Sequence, residues 1–191
     1  MKKIILLAAA VLLSTGAFAQ QRGFQWGIKA GLNLATQTKV DDAKFRPGLV
    51  AGAFGEYVIN DFFGIQGELL YSMMGAKGKI EGVTVTDKTD YITLPILAKL
   101  YILEGLSVDI GPQFGYMISA KAKGAAGDNS ATRNYYDDVD KKFDVSAAMG
   151  LSYKLNFGLD VFARYNLGLT KLADGADSKN SVIQVGLGYR F

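Results

Sequence analysis

The chain has 191 residues, with 21 lysines and arginines against 18 acids, and it contains neither cysteine nor histidine. The lack of cysteine excludes disulfides and thiol chemistry, and the lack of histidine removes the commonest general base and the commonest metal ligand. The near balance of charge gives no footprint for nucleic acid, and the length suits one domain.

Residues 1–19 read as a cleavable secretory leader. Met1, Lys2 and Lys3 give a basic start, residues 4–13 an apolar core, and Ala17-Phe18-Ala19 a small-x-small cleavage site. The mature domain is then expected to be 20–191, close to neutral once Lys2 and Lys3 are gone. No cysteine follows the site, so no lipoprotein anchor is expected. The leader's apolar run is too short for a membrane helix, and no later stretch reaches the 18 or so apolar residues that such a helix needs.

Eight strand-like windows follow: residues 24–35, 45–59, 62–75, 89–102, 106–119, 142–154, 157–170 and 181–191. Each is near, or somewhat above, the ~9–11 residues that a tilted membrane strand requires. One face of each window carries no charge or amide. The first window shows Trp26, Ile28, Ala30, Leu32 and Leu34 on that face; the last shows Ile183, Val185, Leu187, Tyr189 and Phe191. The opposite face is polar and carries Lys29, Arg46, Glu56, Glu68, Lys99, Asp109, Asp144, Asp160, Arg164 and Arg190, with Asn33, Gln66, Gln113, Asn166 and Gln184 between them.

A soluble sandwich can show the same alternation with its apolar face inward. The connections and the aromatics argue for a membrane barrel instead. Residues 60–61, 103–105 and 155–156 are tight turns, whereas 36–44, 76–88, 120–141 and 171–180 are long and polar. Outer-membrane barrels alternate in this way, with short periplasmic turns and long extracellular loops. Trp26, Tyr57, Phe63, Tyr101, Tyr153, Phe157, Tyr189 and Phe191 fall at the short-turn end, as a membrane-interface girdle. Phe45, Tyr71, Tyr116, Phe143 and Tyr165 fall toward the long-loop end. The fold expected is all-β: an eight-stranded antiparallel up-and-down transmembrane β-barrel. Pro95 and Pro112 fit least well, since each removes a ladder donor inside a wall strand; a bulge is expected at each.

The ten inward charges are balanced in sign. An eight-stranded barrel is about wide enough to be filled by side chains, so these charges are expected to pair into a packed polar core; the alternative is a narrow ion path. Inward Phe54, Leu70, Leu97 and Phe162 add apolar bulk on the side of packing. Asp160 and Arg164 share a face and can pair with each other or with neighbouring strands. In the loop, Tyr135-Tyr136-Asp137-Asp138-Val139-Asp140 lacks the Ca²⁺-loop spacing and reads as a solvated acidic segment. Its tyrosines suit either recognition or the lipid headgroups. Ser152 and Lys154 read as a polar lumen rim. No pair of groups stands out as catalytic, and no cofactor or metal site is expected.

Several stretches together resemble the small outer-membrane barrel proteins of Bacteroidota known as the PorT-like family. They are GIKAGLNL at 27–34, GELLY at 67–71, YITLPIL at 91–97, Gly111-Pro112, ARYNLGL at 163–169 and LGYRF at 187–191. The resemblance implies an outer-membrane barrel. Its name-giving member is linked to protein export through the type IX secretion system, a role that maps to no particular residue of this chain. The expectation is a non-enzymatic structural or interaction protein acting through its long extracellular loops. The alternatives are a narrow porin-like channel or carrier of small apolar solutes, and an accessory factor in secretion. The partners expected are outer-membrane lipids, the barrel-assembly machinery during insertion and a protein at the extracellular loops.

Overall fold

A computed structural model describes residues 23–38, 45–80, 83–126, 129–139, 141–171 and 178–191; the predicted leader lies outside the described residues. The strands are β1 (Phe24–Gln37), β2 (Arg46–Val58), β3 (Phe63–Met74), β4 (Lys77–Ile80), β5 (Val83–Leu103), β6 (Leu106–Ala126), β7 (Asn129–Asn134), β8 (Phe143–Lys154), β9 (Leu159–Gly168) and β10 (Asn180–Arg190). Eight of them, β1, β2, β3, β5, β6, β8, β9 and β10, form the wall. Each pairs antiparallel with its sequence neighbour in the wall, and β1 pairs with β10 to close the ring. Each predicted window coincides with one wall strand.

Alternation sets the two faces. On the outside, Leu32, Leu49, Leu69, Leu151 and Leu187 are more than half exposed, while on the inside Glu56, Leu97 and Gln184 are wholly buried. Polar residues outnumber apolar ones among the buried side chains, the reverse of a water-soluble domain. No helix among the described residues is long and apolar enough to cross a membrane. Glycine sits on the inner face where strands approach closely. A β-carbon at Gly52 would collide with the Leu69 carbonyl oxygen, and one at Gly111 with that of Ile96.

The prolines do not make bulges. Pro95 lies opposite Gln113, and the register is the same on either side of it; Pro112 lies opposite Ala147 in an unbroken run. Instead, the ladder is interrupted on one side of each. The β3–β5 pairing skips Leu94 and Pro95, and the β5–β6 pairing skips Ile96 and Leu97, which face Gly111 and Pro112. A gap of one rung absorbs the missing donor at a cost of about one hydrogen bond, ~0.5–1.5 kcal/mol. The register shifts lie elsewhere, at Asp90/Tyr91 and Tyr101/Leu103, toward the two ends of the wall.

Two of the predicted long loops are largely strand. β5 and β6 are 21 residues each, about twice what a bilayer requires. Their outer halves pair with each other and with β4 and β7, forming a four-stranded sheet β4-β5-β6-β7 beyond the wall. The seventh window begins late: Phe157 lies in a 3₁₀ turn, Asn156–Gly158, with φ 62, and β9 starts at Leu159. A bulky residue at positive φ is strained; here the ring is 86% exposed at the short-turn end.

Candidate functional site

The barrel interior is built in layers along its axis. Nearest the short turns, Arg190 on β10 pairs with Asp160 on neighbouring β9. Beside it, Glu56 on β2 accepts from Lys154 on β8 and from the Tyr101 hydroxyl, and lies 3.2 Å from Lys99 on β5. Lys99 also lies 3.8 Å from Asp109 on β6. Asp109 in turn accepts from Ser107, at 2.8 Å, and from Ser152.

The next layer centres on Glu68 of β3. Arg164 of β9 donates to it through both terminal nitrogens, at 2.8 and 2.6 Å, and Lys29 of β1 donates at 2.7 Å. The Lys29 ammonium also sits over two rings, 4.4 Å from the centroid of Phe162 and 5.3 Å from that of Phe54. Gln66 joins the two layers: its amide donates to Glu68 and accepts from Lys99 at 3.1 Å. A continuous ionic chain thus runs from Lys154 to Arg164.

Its geometry matters more than its length. In the closed ring, β3 and β9 lie on opposite walls, as do β2 and β8. Glu68–Arg164 and Glu56–Lys154 therefore cross the lumen, one in each layer. Charged groups this buried are costly unless they are paired and hydrogen-bonded, and these are both.

Above the ionic layers comes a belt of amides and hydroxyls. Asn33 donates to Ser72 at 2.8 Å and to the Met73 carbonyl at 3.0 Å. Higher still, inward residues of five strands meet in one apolar cluster: Ala35, Met74, Tyr91, Met117, Ala120 and Val182. Tyr135, Tyr136 and Val139 pack against it. The segment after β7 thus folds back onto the cluster. Tyr135 donates its hydroxyl to Asp87, which also accepts from Gln37 at 3.1 Å. Burial holds the Asp87 carboxyl above the usual range, although the bonds from Tyr135 and Gln37 pull the other way.

Of the ten inward charges singled out in the sequence, Lys29, Glu56, Glu68, Lys99, Asp109 and Arg164 fall in the joined network, and Asp160 and Arg190 form their own pair. Asp160 and Arg164 do not pair with each other. Arg46 donates to the Met74 carbonyl, and Asp144 accepts from the Thr170 hydroxyl, so neither ends in a carboxylate–cation pair of that set. Tyr101 belongs with the lumen, not with the interface aromatics: its ring lies 4.8 Å from the Lys154 ammonium and its hydroxyl meets Glu56. Tyr57, Tyr153, Phe157, Tyr189 and Phe191 are exposed on the outside at the short-turn end. There the Trp26 and Phe191 rings meet at 4.5 Å between centroids, and Phe63 is half-buried.

The sequence pattern places Lys154 on a lumen rim and Gln66 among the inward amides, not in the charge network, and does not single out Ser107, which donates to Asp109. Lys154 shares inward parity with Ser152, but only closure of the ring reveals its partner on the far wall. Ser152 turns to Asp109 and Lys154 to Glu56, so the two do not act together. In the acidic segment, Tyr136–Asp138 form a single 3₁₀ turn, and Asp140 lies outside the described residues.

An antiparallel wall closed on itself, apolar outside and ionic within, defines a transmembrane β-barrel. The chain belongs to the family described as the outer membrane protein beta-barrel domain, which it matches over residues 18–174. Ail, the attachment invasion locus protein of Yersinia pestis, has the same fold. It is 21% identical, with a TM-score of 0.54, over 90% of this chain and 100% of its own. Ail has also been crystallised with the heparin analogue sucrose octasulfate, and that structure aligns at 20% identity and a TM-score of 0.54 over 88% of this chain and 99% of its own. Neisserial surface protein A aligns at 15% identity and a TM-score of 0.53, over 88% of this chain and 97% of its own. No curated protein matches the chain.

Proposed function

We propose that this outer-membrane barrel is a non-enzymatic structural and interaction protein. Its lumen is closed, and its working surface is the sheet and loops at the long-connection end. The observation that carries this reading is the pair of ionic contacts crossing the lumen, Glu68–Arg164 and Glu56–Lys154, under an apolar cap. Side chains spanning an interior of this size leave it filled. In the same reading the leader is removed after Ala19, the termini and short turns face the periplasm, and the ionic network has a structural role. The interface aromatics set the level of the membrane. Within the family, the stretches at 27–34, 91–97 and 163–169 support a PorT-like, Bacteroidota assignment. An accessory role in secretion has that resemblance alone behind it.

A narrow channel is the second reading. It is favoured by the amide belt, where Asn166 and Gln184 leave both ends of their side chains without a protein partner; buried groups of this kind commonly hold water. Conductance of the purified protein in a planar bilayer separates the two. The closed barrel gives a silent bilayer, whereas reproducible unitary steps would establish the channel.

A further inference from the structure

The sheet beyond the wall has a charge pattern that the closed lumen does not explain. Lys88 on β5 lies directly opposite Lys121 on β6. Two residues further out, Thr86 lies between Lys77 on β4 and Lys123 on β6. Directly opposed residues share a face, and so do residues two apart on a strand. Four lysines therefore stand on one face in two adjacent rows, ~7 Å apart along the strands. Like charges placed opposite each other on a sheet are destabilising unless something lies between them. Among the described residues no acid pairs with any of the four. Asp90, the acid on the same face, lies one row nearer the bilayer, opposite Met73 and Ser119, and forms no ion pair with Lys88 or Lys121.

The direction of this face identifies what it meets. Its parity continues down β5 through Ile92 and Leu94, which are exposed on the lipid side of the wall, so it overlooks the bilayer and not the lumen. Ile92 is level with Tyr71 and Tyr116 of the upper aromatic set. Lys88 is four residues beyond it, ~13 Å along the strand and ~10 Å in height at the usual tilt. That places the lower row at the polar headgroups and the upper row just beyond them. Lysine on an edge strand guards against aggregation, which accounts for Lys77 but not for Lys88 and Lys121 on the two inner strands.

We propose that this face seats phosphate groups of the outer-leaflet lipids between Lys88 and Lys121 and between Lys77 and Lys123, tethering the sheet to the membrane surface. The proposal deepens the reading of the sheet as the working surface and names its partner. The test uses the mature protein in phosphatidylcholine nanodiscs with and without phosphatidic acid. Lipid retained after release into mild detergent is measured by native mass spectrometry. Wild type should retain phosphatidic acid over phosphatidylcholine. Each lysine removed should weaken that preference about fivefold, so the Lys88→Gln/Lys121→Gln variant should lose most of it, and adding Lys77→Gln and Lys123→Gln should abolish it. Gel mobility before and after heating reports folding, and the double variant suffices if the quadruple one fails to fold. Equal retention by wild type and folded variants overturns the proposal. So does retention that inorganic phosphate displaces, which would mark a site for a soluble anion. Bilayer conductance of the same variants should not change, so this proposal and the closed lumen fail separately.

Discussion

Toward the short turns the interior is ionic, with Glu56, Glu68, Lys29, Lys99, Asp109 and Arg164 all buried and joined by ion pairs and hydrogen bonds. Toward the long connections it is apolar: Met74, Tyr91, Met117 and Val182 pack together inside the barrel, and Tyr135 folds over them from outside the wall. The difference is one of mechanics. The ionic half is held by contacts that cross the barrel between opposite strands, so removing one member strands its partners in low dielectric. The apolar half is held by area and by a segment that folds back, so it can loosen locally without stranding a charge. The ionic half should therefore respond to substitution cooperatively, and the apolar half in increments.

The largest test of this contrast is Glu68→Ala. It leaves Lys29 and Arg164 buried and uncompensated, and should cost ~3–5 kcal/mol in unfolding free energy. Urea titration of the detergent-folded protein measures it. A cost below about 1 kcal/mol would mean that water already reaches these groups and that the lumen is not packed. Next comes Val185→Arg, on the opposite face of the wall from this network. Val185 points outward at the middle of β10, and an arginine there should cost ~2–4 kcal/mol against lipid. If it is tolerated as readily as a loop substitution, the inside and outside of the barrel are misassigned. In the apolar half, Met117→Ala should cost ~2–3 kcal/mol and raise protease sensitivity beyond the wall while the bilayer stays silent. Conductance appearing in Met117→Ala but not in Glu68→Ala would reverse the comparison and make the cap the true seal.

The two halves also differed in how far the sequence announced them. Alternation is a local signal, and it placed Lys29, Glu68 and Arg164 on the inner face without any knowledge of their partners. It could not pair them, because Glu68 and Arg164 are 96 positions apart and meet only once strand number and register have closed the ring. The same holds for Lys154 and Glu56, 98 positions apart. Tyr101 shares the inward parity of Lys99, but grouping the aromatics by height alone set it with the interface; its pairing opposite buried Ser107 places it inside. The outer halves of β5 and β6 escaped notice for another reason. Above the hydrocarbon layer the outward face meets headgroups and water, so Thr86, Lys88, Lys121 and Lys123 replace the leucines and isoleucines of the wall. The apolar positions, Ala120 among them, are then the inward ones. The pattern inverts at the membrane surface, and a strand whose pattern inverts reads as a polar loop.

The smallest effect separates fold-back from simple burial. Tyr135→Phe removes the hydroxyl that Asp87 accepts and should cost ~0.5–1.5 kcal/mol. Its value lies in the pH dependence. Burial, the leading cause, raises the Asp87 carboxyl above its ordinary value of 3.8. A carboxyl raised in the folded state binds its proton more tightly there than in the opened state. Ionisation therefore opposes closure of the sheet above the raised value, and that opposition fades as pH falls through it toward the ordinary value. Intrinsic-rate-corrected exchange of the Asp87 and Tyr135 amides, which donate to the Ala76 and Ala120 carbonyls, should slow over that acidic window. In Tyr135→Phe the window should move to higher pH, because a bond favouring the carboxylate is gone. A window that stays in place would mean that the Tyr135 hydroxyl does not reach Asp87 in solution, and that the fold-back segment is held by its apolar contacts alone.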